Sequence, residues 1–381
     1  MGIKDINETI KGITADVITL LNKSGYNINE YVYHTIPLSN FRGQRIAFDA
    51  SMCLNAKIIS AHNELLASCN DMIKLYDRSL LQQRFIKDII AFFGTFMKEG
   101  ITPVVVFDGD VHQYKIPEIQ KRRAIKDQIE REINDFKQRY VSMHPLDRTQ
   151  ENEEEMRKKL KNYIKITKED RLLMKTVLQD LGICCIDAPY DGEKVCSALC
   201  REGLVSAVFG NDTDNYPLGT PYLITKIGWN GINNTCDIVV LNEILFVLSC
   251  YLGYQCTQEI LIDICIIHKC DFNERMVLPK KKHDPLNPYK ACGAKTGLEL
   301  IKEYHCFERF PSHLYEFMAP LNIGICRYMF SYEPSGISNV DMNWKIFQLN
   351  FRRILSNYRC ERYIEIYFTS IDTSVMHIKD K

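Results

Sequence analysis

Two carboxylate doublets, Asp191-x-Glu193 and Asp212-x-Asp214, are the residues of this 381-residue chain whose spacing calls most directly for chemistry. Like charges two residues apart repel, and one carboxylate is expected to hold a proton unless a cation lies beside it. Asp49, Asp108 and Asp271 join them, so that seven acids stand at the ends of apolar runs that read as strands. A single Asp after a strand is ordinarily a turn former or a helix N-cap. Seven point elsewhere, because the strands of an open α/β sheet deliver their carboxyl ends to one crevice. Oxygen donors without a Cys/His cluster suit Mg²⁺ or Mn²⁺ better than Zn²⁺. Seven acids exceed what one Mg²⁺ takes. The pattern therefore predicts two ions about 4 Å apart, one generating an attacking hydroxide and one stabilising the leaving oxygen of a phosphodiester.

Such a site also needs positive charge on the phosphate. Lys115 and Arg122 follow Asp108 and stand seven residues apart, which is about two helical turns, so on a helix both project from one face. Lys121, Arg122, Arg123 and Lys126 extend the basic stretch. Taken alone, a basic run is ordinarily a solvated helix face; beside a carboxylate cluster it reads as a phosphate contact.

The elements that must position these groups are legible as strands. Arg45-Ile-Ala-Phe-Asp49 and Thr102-Pro-Val-Val-Val-Phe-Asp108 are short β-branched and aromatic runs that stop at an aspartate, as buried parallel strands do. Leu204-Val-Ser-Ala-Val-Phe-Gly210 opens directly into Asn211-Asp212-Thr213-Asp214, and Tyr222-Leu-Ile-Thr225 follows a Pro/Gly turn. The expected class is α/β with a mostly parallel central sheet flanked by helices.

Six blocks, in order over roughly residues 1 to 305, resemble a flap endonuclease of the structure-specific 5′ nuclease family, which also includes xeroderma-group-G, exonuclease and Holliday-junction-cleaving branches. They are Met1-Gly2-Ile3, Ile46-Ala-Phe-Asp49-Ala-Ser-Met52, Val106-Phe-Asp108-Gly109, Ala188-Pro-Tyr-Asp191-Gly-Glu193, Asn211-Asp212-Thr-Asp214 and Ile264-Cys-Ile-Ile-His-Lys-Cys-Asp271. Each block alone is weak; six in order are specific. The resemblance implies a PIN-like 5′ nuclease core with a helical arch and a helix-two-turn-helix element for duplex DNA. It implies that Asp49, Asp108, Asp191, Glu193, Asp212, Asp214 and Asp271 bind two Mg²⁺ ions directly or through water, with Mn²⁺ able to substitute. It gives Lys115 and Arg122 the scissile phosphate; Gly2, Gly293, Lys295 and Thr296 are expected at the nucleic acid with them, as are Arg123 and Lys126 of the basic stretch and Lys280, Lys281 and Lys282 of a basic loop outside the family pattern.

The implied organisation is an N-terminal nuclease region over 1–108, an arch and cap over 109–185, an internal nuclease region with the helix-two-turn-helix element over 186–310, and a C-terminal extension over 311–381. The arch interval holds the basic stretch, an acidic patch Glu151-Asn-Glu-Glu-Glu155 and a second basic run Arg157-Lys-Lys-Leu-Lys161. Four departures from the family pattern stand out. Asn55 occupies the position, six residues after the first metal Asp, where the family often has a tyrosine that stacks on a flipped base. Asp191 replaces the usual Glu. Near Gly293-Ala-Lys295-Thr296, Ala291 replaces the first glycine of a Gly-x-Gly loop, which leaves the family's monovalent-cation site without one of its glycines, and Asn273 to Tyr289 carries an extra basic loop with Lys280-Lys-Lys282.

Composition fits without deciding. The chain is 46% hydrophobic and carries 48 basic and 48 acidic residues, and setting aside the seven proposed ligands leaves a basic excess of seven. Fifteen cysteines are scattered with no C-x-x-C pair, which fits a reduced intracellular compartment rather than a zinc ribbon or a disulfide framework. The amino terminus shows no signal-peptide core, and no apolar stretch is long enough to span a bilayer. A soluble protein of the nucleus, or of a cytoplasmic viral replication site, is expected; the compact length and divergent loop suit a large DNA virus as well as a cell. Trp344-Lys-Ile-Phe-Gln-Leu-Asn-Phe351 and Tyr363-Ile-Glu-Ile-Tyr-Phe368 read as β-prone or packing segments, and no sliding-clamp peptide is recognisable.

The expected partner is branched or flapped DNA, cut near a single-strand/double-strand junction in replication, repair or recombination. Two alternatives are a 5′-to-3′ exoribonuclease with the same carboxylate core and a non-catalytic nucleic-acid scaffold; the second ordinarily loses acids, and all seven are present.

Overall fold

Arg45–Asp49, read from the sequence as a buried strand ending in an acid, is one: four of its five residues are buried and the last is Asp49. The computed structural model describes residues 2–3, 5–25, 30–69, 76–144, 147, 149–161, 163–231, 233–280 and 289–331. Lys281, Lys282 and the two C-terminal β-prone segments lie outside the described residues.

The strands are β1 (Tyr33–Pro37), β2 (Arg45–Asp49), β3 (Thr102–Phe107), β4 (Cys184–Asp187), β5 (Ala207–Phe209), β6 (Tyr222–Gly228), β7 (Thr235–Val240), β8 (Val277–Pro279) and β9 (Tyr289–Ala291). The helices begin with α1 (Ile6–Lys23), α2 (Ala50–Ser68), α3 (Arg78–Lys98), α4 (Ile116–Ser142), α5 (Gln150–Leu160) and α6 (Lys168–Asp180). They continue with α7 (Gly192–Arg201), α8 (Leu241–Leu252), α9 (Gln258–His268), α10 (Ala294–Tyr304), α11 (Tyr315–Met318) and α12 (Ile323–Ser331). The fold is α/β, and its central sheet is mostly parallel, with β7 antiparallel to both β1 and β6. Among the described residues no helix is long and apolar enough to cross a membrane.

The chain divides into two compact units. The first gathers Met1–Asp49, Asp108–Lys121 and the described residues from Asp187 on. Here the strand order is β1-β7-β6-β5-β2. β2 and β5 pair in parallel with Ile46 opposite Ala207 and Phe48 opposite Phe209, and the two phenylalanine rings meet at 5.3 Å. β5 and β6 are also parallel, with Val208 opposite Leu223. Short apolar strands buried on both faces are what such central positions require.

Helix α9 departs from the sequence reading. Its run Leu261-Ile-Asp-Ile-Cys-Ile-Ile-His268 is buried at every position, and an all-apolar run of that kind cannot be told from a buried strand by periodicity. Thr257 decides it as an N-cap, its hydroxyl accepting from the Ile260 amide. The extra loop expected after Asn273 is entered and left through the antiparallel β8–β9 hairpin, with Val277 opposite Ala291.

The second unit gathers Ala50–Phe107 and Arg122–Ile186. Its β3 is Val-Val-Val-Phe-rich and buried from Pro103 on. The greater part of α4 and all of α5 close over Leu66, forming a cluster of Ile133, Phe136, Tyr140, Met156 and Leu160. Thr149 and Asn152 make a capping box that starts α5, so the acidic patch and the second basic run share one helix. The fully buried Asp170 is satisfied by its own capping box with Thr167, by Gln82 at 3.2 Å and by Arg78.

Phe136→Ala should leave a cavity in that cluster and cost the second unit about 3–5 kcal/mol. Urea unfolding followed by fluorescence checks it, and an unchanged midpoint would show that α4 and α5 do not depend on this core.

Candidate active site

All seven acids belong to the first unit. Asp49 is the last residue of β2, 7% exposed. Asp212 and Asp214 follow β5 in a short 3-10 turn, Thr213–Asn215, in which the Asp214 amide donates to Asp212 Oδ1 at 3.2 Å. Asp191 and Glu193 are not at a strand end: β4 stops at Asp187, Asp191 is the N-cap of α7, and Glu193 lies in its first turn. Asp271 likewise follows a helix, α9, rather than a strand. The convergence expected of strand ends is thus shared between strand ends and helix ends.

Backbone contacts lock these segments together. Gly109 N donates to Tyr190 O at 2.6 Å, Asp110 N to Pro189 O at 3.1 Å, and Gly192 N to Asp108 Oδ1 at 2.8 Å. A Cβ on Gly109 would come within 2.0 Å of Ala188 O, so the approach needs glycine. The amino terminus closes the other side: Thr213 Oγ1 donates to Ile3 O at 3.2 Å and Tyr216 Oη to Asn7 Oδ1 at 2.6 Å. Gly2 has φ +93 and packs so near Asp212 that a Cβ would stand 1.8 Å from its Oδ1.

Glu193, Asp212 and Asp214 each present an oxygen within 4.8 Å of the others. Burial raises the Glu193 carboxyl well above its ordinary value, and Asp212, Asp49, Asp191 and Asp214 push it the same way. Burial likewise raises Asp214, Asp212 and Asp271 adding to it and Lys115 opposing. Asp212 is raised by burial and by Asp271, against a backbone hydrogen bond from Asp214 and the Lys115 charge. Asp214 Oδ1 is buried without a hydrogen-bond partner, an arrangement that costs free energy unless a cation meets it. Hard oxygens, mutual repulsion and an unpartnered buried carboxylate atom fit a divalent cation such as Mg²⁺.

Lys115 ends the 3-10 turn Gln113–Lys115, directly ahead of α4, and its ammonium pairs with Asp191. Burial would lower its pKa, but Asp191, with Asp214 and Glu193, holds it above the ordinary lysine value. Its Nζ also lies 5.7 Å from the Phe272 ring centre. Lys121, part of the basic stretch, is engaged by Glu274 at 3.2 Å. A cavity of about 300 Å³ beside Asp271 is lined by Tyr114, Lys121, Phe272, Asn273 and Glu274. Arg122, Arg123 and Lys126 lie on α4 within the second unit, the last two exposed. Gly293 is the N-cap of α10, with Lys295 and Thr296 exposed in its first turn. Asn55 folds its amide back onto Ser51 O at 2.7 Å.

Three features were not read from the sequence. Lys194, next to Glu193, is buried and donates to Met329 O, tying α12 to α7. Asn215 Nδ2 donates to Asp212 O at 3.1 Å while its Oδ1 accepts from Thr220 at 2.9 Å, which braces the Asp212 turn. His112, Tyr114, Tyr190 and Tyr328 form a ring cluster at the rim. These supports come from distant positions and carry no local pattern.

Residues 1–129 match the XPG N-terminal domain and residues 182–271 the XPG I-region. The chain is 27% identical over 315 residues to flap endonuclease 1 of Brugia malayi, covering 81% of this chain and 68% of that protein. With flap endonuclease 1 of Cryptosporidium muris it is 28% identical over 236 residues, covering 59% of this chain but only 43% of that one. In structure it is similar to the catalytic core of Rad2 in complex with DNA substrate, with a TM-score of 0.57 at 13% identity, over 97% of this chain and 99% of the other. At that identity the likeness concerns the fold.

The raised carboxyls fix a sign. Glu193, Asp212 and Asp214 stabilise the metal-free fold below the ordinary values of 4.5 and 3.8, and that contribution is lost as pH rises through their raised values. In EDTA the melting temperature should therefore fall as pH is raised from about 5 toward 8, and Mg²⁺ should restore it. Asp214→Asn should raise the metal-free melting temperature and flatten its pH dependence. A melting temperature indifferent to both pH and Mg²⁺ would overturn the electrostatic assignment.

Proposed function

We propose, from the premise that this chain belongs to the XPG family of nucleases, that it is a structure-specific 5′ nuclease cutting DNA at flaps or single-strand/double-strand junctions. Replication, repair and recombination are the settings in which such junctions arise. The observation that supports the reading is the cluster of Glu193, Asp212 and Asp214, with Asp49, Asp191 and Asp271 near enough to act on their carboxyls, around the buried, unpartnered Asp214 Oδ1. So much negative charge has no use toward a polyanion unless cations reverse its sign.

Two Mg²⁺ ions, which Mn²⁺ can replace, would supply that positive charge to the attacking and leaving oxygens of a phosphodiester. Glu193, Asp212 and Asp214 would hold them on one side, with Asp49, Asp108, Asp191 and Asp271 completing the set directly or through water. Lys115, held against Asp191, presents an ammonium to a phosphate seated on the carboxylates, where preorganised charge is most effective. Arg122, carried by the sequence resemblance, is proposed as the second phosphate cation. Away from the reacting bond, Gly293, Lys295 and Thr296 at the start of α10 offer backbone N–H groups and side chains to a duplex phosphate, and Lys280 to Lys282, Arg123, Lys126 and Gly2 are proposed as further contacts. Phosphate contacts of this kind position DNA without reading its sequence.

Labelled flap, nicked, gapped and four-way DNA, with an RNA flap beside them, tests the reading with and without Mg²⁺. Asp212→Asn and Asp108→Asn should nearly abolish cleavage while duplex binding survives. Lys115→Ala should lower the single-turnover rate on the order of 10²-fold with little change in affinity. Wild-type protein that leaves every DNA substrate intact in Mg²⁺ would sink the proposal.

A further inference from the structure

Asp271 is carried by neither a strand nor a helix. Asp49 ends β2 and Glu193 lies in the first turn of α7, whereas Asp271 stands in the turn that follows α9. That turn opens on Lys269, whose φ of 81° and ψ of 122° are a conformation that a residue other than glycine seldom takes. Backbone in so sparsely populated a region persists only where its surroundings over-determine it. Burial is what chiefly raises the Asp212 and Asp214 carboxyls, and the Asp271 charge adds to it at both, so Asp271 bears on the same cluster. Something must hold it there.

Part of the hold is local. Asn273 Oδ1 accepts from the Cys270 amide at 2.8 Å, and Asn273 Nδ2 donates to Ile266 O at 2.7 Å. The rest comes from the chain that enters and forms α12. Asn322 Nδ2 donates to Phe272 O at 3.1 Å, and the Glu274 amide donates to Pro320 O at 2.9 Å. Cys326 Sγ lies 3.6 Å from Cys270 Sγ, and the Phe330 ring meets Phe272 with centres 5.7 Å apart. These contacts fall on Cys270, Phe272 and Glu274, on both sides of Asp271. α12 is itself anchored, because Arg327 bonds both oxygens of the buried Asp263 of α9 at 2.7 and 2.6 Å and Lys194 of α7 donates to Met329 O.

Packing of Cys326, Met329 and Phe330 is non-directional and would cover the core in several orientations of the turn. The two hydrogen bonds to its main chain add direction. Resting on the metal reading above, we infer that residues 320–330 form a bracket that fixes Asp271 at the cation site, with Asn322 as a positioning residue that acts through the Phe272 carbonyl. The start of the C-terminal extension thereby belongs to the site. Asn322 and Asp271 both line the cavity of about 300 Å³. Water there can satisfy the Phe272 carbonyl in place of the amide but, being free to move, does not hold it.

Asn322 has φ 46°, in the left-handed region, so glycine takes its place without backbone strain and Asn322→Gly removes the amide alone. Mn²⁺ titration of the full chain without DNA, read by the electron paramagnetic resonance of the free ion, tests the inference. Asn322→Gly should weaken Mn²⁺ binding about 10-fold, the low end of what loss of a group supporting a metal ligand costs. In an Asp271→Asn background the same change should weaken it no further, since residues that act through one another are not additive. With 5′-flap DNA, the Mg²⁺ concentration for half-maximal single-turnover cleavage should rise by a similar factor, and saturating Mg²⁺ should restore the wild-type rate. Unchanged Mn²⁺ affinity in Asn322→Gly overturns the inference whether or not DNA is cut. So does an equal loss in the Asp271→Asn background, which would make the bracket a general prop. If Asn322→Gly also lowers the metal-free melting temperature, that pair of backgrounds still decides, because a general loss of structure weakens both alike. Wild-type protein that binds no Mn²⁺ overturns the inference together with the metal reading. Protein that shows the expected coupling in Mn²⁺ and cuts no DNA supports the bracket and sinks the nuclease reading alone.

Discussion

Repulsion among carboxylates that cannot move apart governs this molecule. Two unit charges 4 Å apart at an effective dielectric of 20 oppose each other by about 4 kcal/mol, and Glu193, Asp212 and Asp214 hold oxygens within 4.8 Å of one another. Lys115 pairs with Asp191, and its charge and that of the amino terminus oppose the rise at Asp212 without cancelling it. Relaxation is blocked because each acid belongs to an element fixed elsewhere. Asp49 ends a strand buried along most of its length, Asp212 is braced through Asn215 and Thr220, and Asp108 is bonded to the first amide of α7.

Holding that arrangement explains features that otherwise look incidental. Gly109 lets the segment after β3 touch the carbonyls ahead of α7, and Gly2 lets the amino terminus cover Asp212, each at an approach no side chain permits. Lys194, beside Glu193, donates to Met329 O and so fastens α12. The site is therefore kept electronegative by construction, and ligand binding and fold stability are linked: whatever cation binds the folded state and not the unfolded one stabilises it by mass action.

The parts that were legible in the sequence are those whose cause is local. β2 and β3 announce themselves by β-branched and aromatic runs with an acid at the end, and the doublets announce themselves by spacing that is unfavourable without a cation. Helix α9 was misread because full burial erases the periodicity that separates helix from strand, and Asp191 because a residue after an apolar stretch serves a helix N-cap as readily as a strand end. The ring cluster was invisible for a different reason. His112, Tyr190 and Tyr328 share no pattern along the chain and become neighbours only through tertiary contacts. The grouping of Ala50–Phe107 with Arg122–Ile186 is hidden in the same way, since the chain enters and leaves the first unit around a short excursion, Asp108–Lys121, that carries Asp108 and Lys115.

Charge bears on what such a site can recognise. Carboxylates that hold a cation can engage a phosphate, which every nucleotide has, and contacts to the sugar are equally common to all. Neither contact distinguishes one sequence from another. For a nucleic-acid substrate, discrimination would then come from geometry, from whether a strand can lie with its backbone beside Asp191 and Lys115. A paired base is held in its duplex by stacking and pairing that cost a few kcal/mol to break, whereas a base at a junction is already partly released. Under the nuclease proposal, a preference for branched substrates over continuous duplex would rest on the energy of unstacking rather than on any contact with base identity.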